Sequence, residues 1–155
     1  MASNVYYVGG RMAAASGTTA RNAAAQLWNP HANKRINVRE IWIANTAATA
    51  AQIAIARSTA IGATFGVTVT PDLDNGADRD VAPPSGFVLH LSGFGTQPTV
   101  DASDLVRWNL PASIGSGVII PFAQPIVVPP GTGLCIVTAT AAALPISDIT
   151  YVVED

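Results

Sequence analysis

The stretch Ile36-Asn37-Val38-Arg39-Glu40-Ile41-Trp42-Ile43 decides how the chain is read. Apolar side chains alternate with polar ones at 36 and 38, slip by one place across Arg39-Glu40, then alternate again at 41 and 43. A period of two marks a strand with one buried face, because successive side chains point to opposite sides of a sheet. A one-residue slip sends every later side chain to the wrong face unless an extra residue is accommodated. A β-bulge at Arg39-Glu40 would keep both apolar pairs on the core side. Trp42 then faces outward, into solvent or beneath a neighbouring subunit.

Working outward, Leu27-Trp28 precedes the turn signal Asn29-Pro30 and a polar run over 31–35. On the other side, a small polar connection over 44–51 leads to Ile53 and Ile55, which alternate in a strand ending near Arg57. A short strand is expected at 65–69, and residues 71–84 read as a long loop rich in Asp, Asn, Gly and Pro. Further strands are expected at 87–91, 105–110, 118–122, 126–128, 134–140 and 149–153. Pro121, Pro125, Pro129 and Pro130 cannot donate to a ladder, so their strands lie at edges or end there. Short strands without βαβ alternation or internal repeat predict an all-β protein, a single jelly-roll-like β-sandwich over residues 27–155.

Residues 1–26 are expected to form an N-terminal arm and the first strand. Tyr6-Tyr7-Val8 and Gly9-Gly10 are followed by alanine runs at 13–15 and 23–25, which Gly17, Thr18 and Thr19 interrupt. No 3.6-residue apolar stripe develops. An extended arm over 1–15 is one reading, and a short helix ending near Trp28 is the other.

At 155 residues and 15.9 kDa the chain fits one domain and needs no disulfide, which its single Cys135 could not form within the chain. Only 12% of residues are charged, about half the ~25% of an average soluble domain. Mean hydropathy is +0.34, yet no apolar run approaches the roughly 20 residues of a membrane span. Residues 1–10 lack the basic start and apolar run of a signal peptide. Ala, Thr, Ser, Asn and Gly must therefore cover much of the surface. That suits faces buried against neighbours. It also suits a merely alanine-rich genome, since seven of the eight basic residues are Arg and only Lys34 is Lys. A net charge of −2 with no basic cluster beyond Lys34-Arg35 and Arg39 argues against a nucleic-acid partner. No membrane partner is expected either.

No catalytic motif stands out. Pro129-Pro130-Gly131-Thr132-Gly133 resembles a phosphate loop only until Val128 takes the place of its first glycine and Leu134 that of its lysine. Asp72, Asp74, Asp78 and Asp80 suggest a calcium loop, but Gly76 falls one place early and Pro83 stands where the bidentate Glu belongs. Such residues more often cap turns. His31 and His90 are the only histidines, and His90 lies between Leu89 and Leu91 as a surface or interface imidazole. Cys135, in the apolar run 134–137, reads as a buried small hydrophobe. No enzyme activity, cofactor or metal is expected. Tyr6, Tyr7, Trp28, Trp42 and Trp108, several beside Arg11, Arg39 or Arg107, are of the types that dominate interface hot spots. These eight are the candidate assembly residues, with core packing the ordinary alternative for any single Trp.

Ala25-Gln26-Leu27-Trp28-Asn29-Pro30, a short polar run, and then Val38-Arg39-Glu40-Ile41-Trp42-Ile43-Ala44-Asn45-Thr46 resemble small virion proteins of tailed bacteriophages. The segment Pro125-Ile126-Val127-Val128-Pro129-Pro130-Gly131-Thr132-Gly133-Leu134 is similar to a strand-turn-strand unit of the same group, the capsid decoration or cement proteins. The resemblance spans residues 25–140. It implies a β-sandwich or jelly roll with no catalytic residues, expected to form a homotrimer and to bind the major capsid protein. Copies made in the host cytoplasm would sit on the capsid exterior over junctions between its subunits, reinforcing the shell against packaged DNA. A head-fibre or tail module recognising glycans, or a secreted carbohydrate-binding sandwich, are the alternatives. A glycan binder should expose a shallow aromatic groove, and a cement protein a broad contact surface.

Overall fold

The computed structural model describes residues 4–13, 21–73, 82–139 and 147–155. They form eleven strands and, among the described residues, no helix. The strands are β1 (Val5–Met12), β2 (Ala23–Asn29), β3 (Ile36–Asn45), β4 (Ala51–Ser58), β5 (Val67–Val69), β6 (Asp72–Leu73), β7 (Val88–Leu91), β8 (Val100–Leu110), β9 (Gly117–Val128), β10 (Thr132–Thr138) and β11 (Ser147–Glu154). One sheet has the order β6-β1-β11-β3-β9 and the other β5-β7-β2-β10-β4-β8. Every pairing is antiparallel.

The eight long strands are nested. The chain enters by β1, β2, β3 and β4, alternating between sheets, and returns by β8, β9, β10 and β11, again alternating. That is the wrapping of a jelly roll. β5, β6 and β7 belong to the long connection from β4 to β8. The two sheets close over Tyr6, Leu27, Ile36, Ile41, Ile53, Ile55, Phe87, Leu134, Ile136 and Tyr151, all fully buried. Tyr6 and Phe87 meet edge-on with ring centroids 5.8 Å apart, a geometry that adds about 0.5–1.5 kcal/mol beyond area burial.

The bulge in β3 is where the sequence places it. Ile36, Val38, Ile41 and Ile43 all point into the core, and the register against both neighbours shifts between Val38 and Glu40. Trp42 faces out.

The N-terminal expectation needs correction. Residues 5–12 are not an arm: β1 lies inside the sheet between β6 and β11, in register with β11 over all eight of its residues. Its core side is Tyr6, Val8 and Met12. Glycines at 9 and 10 conceal the alternation. Gly9 is required, since a Cβ there would lie 2.5 Å from Thr150 Oγ1 and 2.6 Å from the Ile149 carbonyl oxygen. The boundary at residue 26 falls within β2, whose alanines 23–25 are strand rather than helix. The remaining residues of the expected arm, 1–3 and 14–20, lie outside the described residues.

The first of those alanines has a use outside the main core. Ala23, Ala54, Ala56, Cys135 and Val137 form the outer face of the second sheet, and Phe94 is buried on them with Phe65 and Val100 alongside. The parts of the β4–β8 connection around Phe65 and Phe94 thus lie over this face as a third layer. Gln26 fixes it: its amide nitrogen donates to Ser58 Oγ (2.9 Å) and the Ala60 carbonyl (3.0 Å), while its oxygen accepts from the Gly62 N–H. His90 stacks on Phe65 at 3.8 Å between centroids and bonds Thr68 Oγ1 at 3.0 Å, and its burial lowers its pKa. Cys135 is sealed beneath the same layer. Burial pushes its thiol up to about 12, against the opposing hydrogen bond with Ser58. DTNB should therefore label the protein only after denaturation, and rapid labelling of the native state would contradict this packing.

Both edge strands on one flank are irregular. In β9, residues 122–125 lie opposite Arg39 alone, so the two strands expected at 118–122 and 126–128 are one bulged strand. In β8, Leu105 is an extra residue and 101–103 lie opposite Arg57 alone. Such bulges blunt an edge against pairing with another chain.

Candidate assembly surface

The outer face of the first sheet is built from alternate residues of four strands. One cross-strand row runs Gly9, Thr150, Trp42, Ile119. The row beside it runs Arg11, Asp148, Ala44, Gly117, and the next on the other side Tyr7, Val152, Glu40, Pro121. Apart from Arg11, Asp148 and Glu40 the side chains here are small or apolar, and among the described residues no segment lies over them as those around Phe65 and Phe94 lie over the second sheet. Trp42 is 39% exposed and Ile119 61%. The Tyr7 ring leans on Trp42 with centroids 6.0 Å apart.

Two ion pairs lie on this face, and its remaining charge, Glu40, meets only the Trp42 indole. Arg11 donates from Nε to Asp148 Oδ1 at 2.8 Å and from its terminal nitrogen to Oδ2 at 3.1 Å. That bidentate contact holds the Asp148 carboxyl below its ordinary range and raises the guanidinium. Arg39 donates to Glu154 Oε2 from Nε at 2.7 Å. Trp42 Nε1 donates to the Glu40 carboxylate.

Next to Trp42 lies a shallow depression of about 470 Å³. Ala44 and Gly117 leave it open, Trp42 and Ile119 flank it, and Asp148 and Thr150 stand on its far side. Gly117 has no room for a side chain, since a Cβ would sit 2.6 Å from the Ile43 carbonyl oxygen.

Of the eight candidate assembly residues, the structure gathers Tyr7, Arg11, Arg39 and Trp42 on this one face. Tyr6 is a correction: it is fully buried in the core, because neighbouring residues of a strand point to opposite sides. Trp28 is half-buried on the other sheet, lying over Gly133. Trp108 is half-buried and packs against the core with its Nε1 inside. Arg107 lies on β8 and donates to Asp104 Oδ2 at 2.9 Å, while Arg21 takes the other oxygen at 2.5 Å. Burial opposes ionisation of Asp104, yet these two arginines hold its carboxyl below the ordinary range.

Sequence reading missed Ile119, Thr150 and Asp148 as members of the face, and Ile114 beside it. One signal was present: Val118-Ile119-Ile120 is apolar at consecutive positions, so both faces of that strand are apolar. Of the four aspartates weighed and rejected as a calcium loop, only Asp72 is described, paired to Tyr7 as part of β6, while Asp74, Asp78 and Asp80 lie outside the described residues. Among the described residues, His, Cys, Asp and Glu form no cluster of three suited to a metal.

No family model matches this chain, and neither the curated proteins nor the solved structures provide a match.

Proposed function

We propose that the protein is a structural virion component that decorates a bacteriophage capsid. Homo-oligomeric copies, a trimer in the simplest arrangement, bind across junctions between major capsid subunits on the shell exterior. The observation that carries this reading is the contrast between the two outer faces. One is covered by the protein's own segments around Phe65 and Phe94, and the other presents Trp42, Tyr7 and Ile119, with Arg11 and Arg39 paired to Asp148 and Glu154 beside them. Exposed apolar area of this kind is a solubility hazard on a free subunit and an asset in an assembly.

Glycan recognition fits the same face less well. A sugar needs polar groups free to meet its hydroxyls, but Arg11 takes both oxygens of Asp148 and Glu40 takes the Trp42 donor. The walls that remain are mainly aliphatic.

Purified protein added to undecorated shells should co-sediment with them and appear as extra surface density by electron microscopy. Trp42→Ala should weaken that binding by roughly thirtyfold, the effect of losing a hot spot of about 2 kcal/mol. Its melting temperature should stay near that of the parent, because Trp42 lies outside the core. Parent protein that ignores shells, or a Trp42→Ala variant that binds them equally well, would refute the proposal.

A further inference from the structure

Residues 65–69 form a strap along one edge of the second sheet, with Phe65 lying over the outer face and β5 completing the edge. The strap is anchored at both ends. Before it, Ala63 exchanges hydrogen bonds with Thr96, its N–H donating at 2.9 Å and its oxygen accepting at 3.1 Å. Beyond it, Asp72 and Leu73 pair with Tyr7 and Tyr6 of β1. Between those anchors the hold is thin. The Gly66 N–H donates to the Ser92 carbonyl at 2.8 Å, and the three residues of β5 pair with β7. Only Phe65 and Val69 are half-buried, and Val67 is 54% exposed. Thr64 enters the strap at a φ of +56°, a left-handed conformation that a β-branched residue adopts only under constraint. Few buried contacts and exposed backbone hydrogen bonds mark a segment that opens before the rest of a fold.

The side chain that holds the strap shut is His90. Its ring is almost fully buried, stacks on Phe65 with 3.8 Å between centroids, and meets Thr68 Oγ1 from Nδ1 at 3.0 Å. Both partners belong to the strap. Nε2 lies buried with no hydrogen-bond partner among the described residues. A neutral imidazole leaves there a lone pair or one uncharged donor, whereas an imidazolium leaves a charged donor without an acceptor. No carboxylate offsets that charge. Gln26 of β2 and Thr68 of β5 flank His90, Phe94 stands against Phe65, and β2 and residues 59–69 and 92–99 contain no charged side chain. β1 meets β7 where Gly10 approaches Leu91, but its Tyr6 points into the core, and Tyr7 and Arg11 lie on the far face of the first sheet. Farther along the row from His90 come Cys135, whose thiol burial pushes up to about 12, and Asp104, which Arg21 and Arg107 hold. Burial alone acts on the imidazole, and it lowers the pKa.

We infer that residues 65–69 are an acid-opened strap, with His90 as the latch that lets go when it takes a proton. The device sits on the covered face, opposite the one offered to a shell, and is independent of the decoration reading. In the opened state the imidazole is hydrated and protonates near its ordinary value of 6.5, whereas the closed state resists the proton until the pH is lower. Closure is therefore at full strength above pH 6.5. It weakens as the pH falls below that value, by at most tenfold per unit, and levels off once the closed form also protonates. Opening lets Thr64 leave its left-handed conformation, frees the Phe65 ring and bares the side of Phe94 against which it packs. A face that is covered at neutral pH thus becomes an exposed apolar one in acid.

The test is hydrogen exchange of the full chain, read amide by amide by NMR at pH 7 and pH 5, with rates corrected for the intrinsic effect of pH. The protected amides of residues 66–69 should lose protection at pH 5 by roughly threefold or more, while those of β10 and β11 keep theirs. His90→Phe preserves an aromatic stack on Phe65 but takes no proton, so its protection over 66–69 should be the same at both pH values. His90→Gln, smaller and equally unable to titrate, provides the same comparison if the phenylalanine disturbs folding. In the parent, the His90 ring signals should titrate with a midpoint below 6.5. Equal protection of the parent at the two pH values overturns the inference, as does a midpoint at or above 6.5. So does an equal loss in a variant without the imidazole, or a loss shared by β10 and β11, which would be general acid unfolding.

Discussion

Deleting Arg39 should leave the sandwich folded, and Arg39→Ala should cost less than about 1 kcal/mol. The side chain is half-exposed and its partner is Glu154, so the substitution removes a surface ion pair of small worth. The backbone position is surplus as well. Arg39 is the residue that lets β3 change phase, with Val38 and Glu40 each in register with both neighbouring strands on either side of it. Without it the strand reads Ile36-Asn37-Val38-Glu40-Ile41-Trp42-Ile43, a strict alternation that keeps all four apolar side chains on the core face. β11 has no extra residue opposite this point, so its pairing with β3 closes up, while residues 122–125 of β9 still bulge. A deletion elsewhere in the strand has no surplus residue to draw on and turns one apolar pair outward, each buried side chain being worth about 1.5–3 kcal/mol. Urea unfolding followed by circular dichroism should show a cooperative transition for both Arg39→Ala and the Arg39 deletion. A deletion variant with no cooperative transition would mean that the bulge itself is indispensable.

The same strand shows why some of the structure was legible in the sequence and some was not. Where side chains alternate in polarity, as in β3 and β4, the period of two gives the strand and its buried side together. Where glycine or alanine replaces the side chains, the period is still present in the backbone but has nothing to show it. β1 carries Gly9 and Gly10 at successive positions, and β2 opens on three alanines, of which Ala23 packs beneath Phe94 while Ala24 and Ala25 belong to the core between the sheets. The adjacent tyrosines teach the same rule. Tyr6 and Tyr7 cannot share a face, so one had to be core, and the alternation with Val8 assigns Tyr6 inward. The assembly face was legible only in its local part. Trp42 outward follows from four neighbouring residues. Its partnership with Ile119 joins strands far apart in sequence, and register between distant strands is set by the whole sandwich. No local pattern reports it.

Removing residues 1–12 should leave a chain that does not fold. A detachable arm would predict the opposite, a sandwich that survives and loses only its binding. β1 is hydrogen-bonded to β11 along its whole length, and β11 pairs in turn with β3. Its loss opens an interior edge of the first sheet and strips Tyr6, Val8 and Met12 from the core. Truncating a large buried aromatic costs about 3–5 kcal/mol and a buried Met about 2–5, so these side chains alone match much of a domain's stability. Unpaired N–H and C=O groups along β11 would add an aggregation-prone edge. Two single substitutions divide the effect by face. Tyr6→Ala should lower stability by about 3–5 kcal/mol, while Tyr7→Ala, on the outer face, should change it by less than about 1 kcal/mol and weaken assembly instead. The readout is thermal unfolding of the truncated chain together with its resistance to a nonspecific protease. A truncated protein that melts cooperatively near the parent's temperature would show that β1 is an accessory to a sandwich complete without it. The nested pairing of β1 with β11, β2 with β10, β3 with β9 and β4 with β8 argues otherwise, because removing the outermost pair leaves β11 with one neighbour and the core open at Phe87.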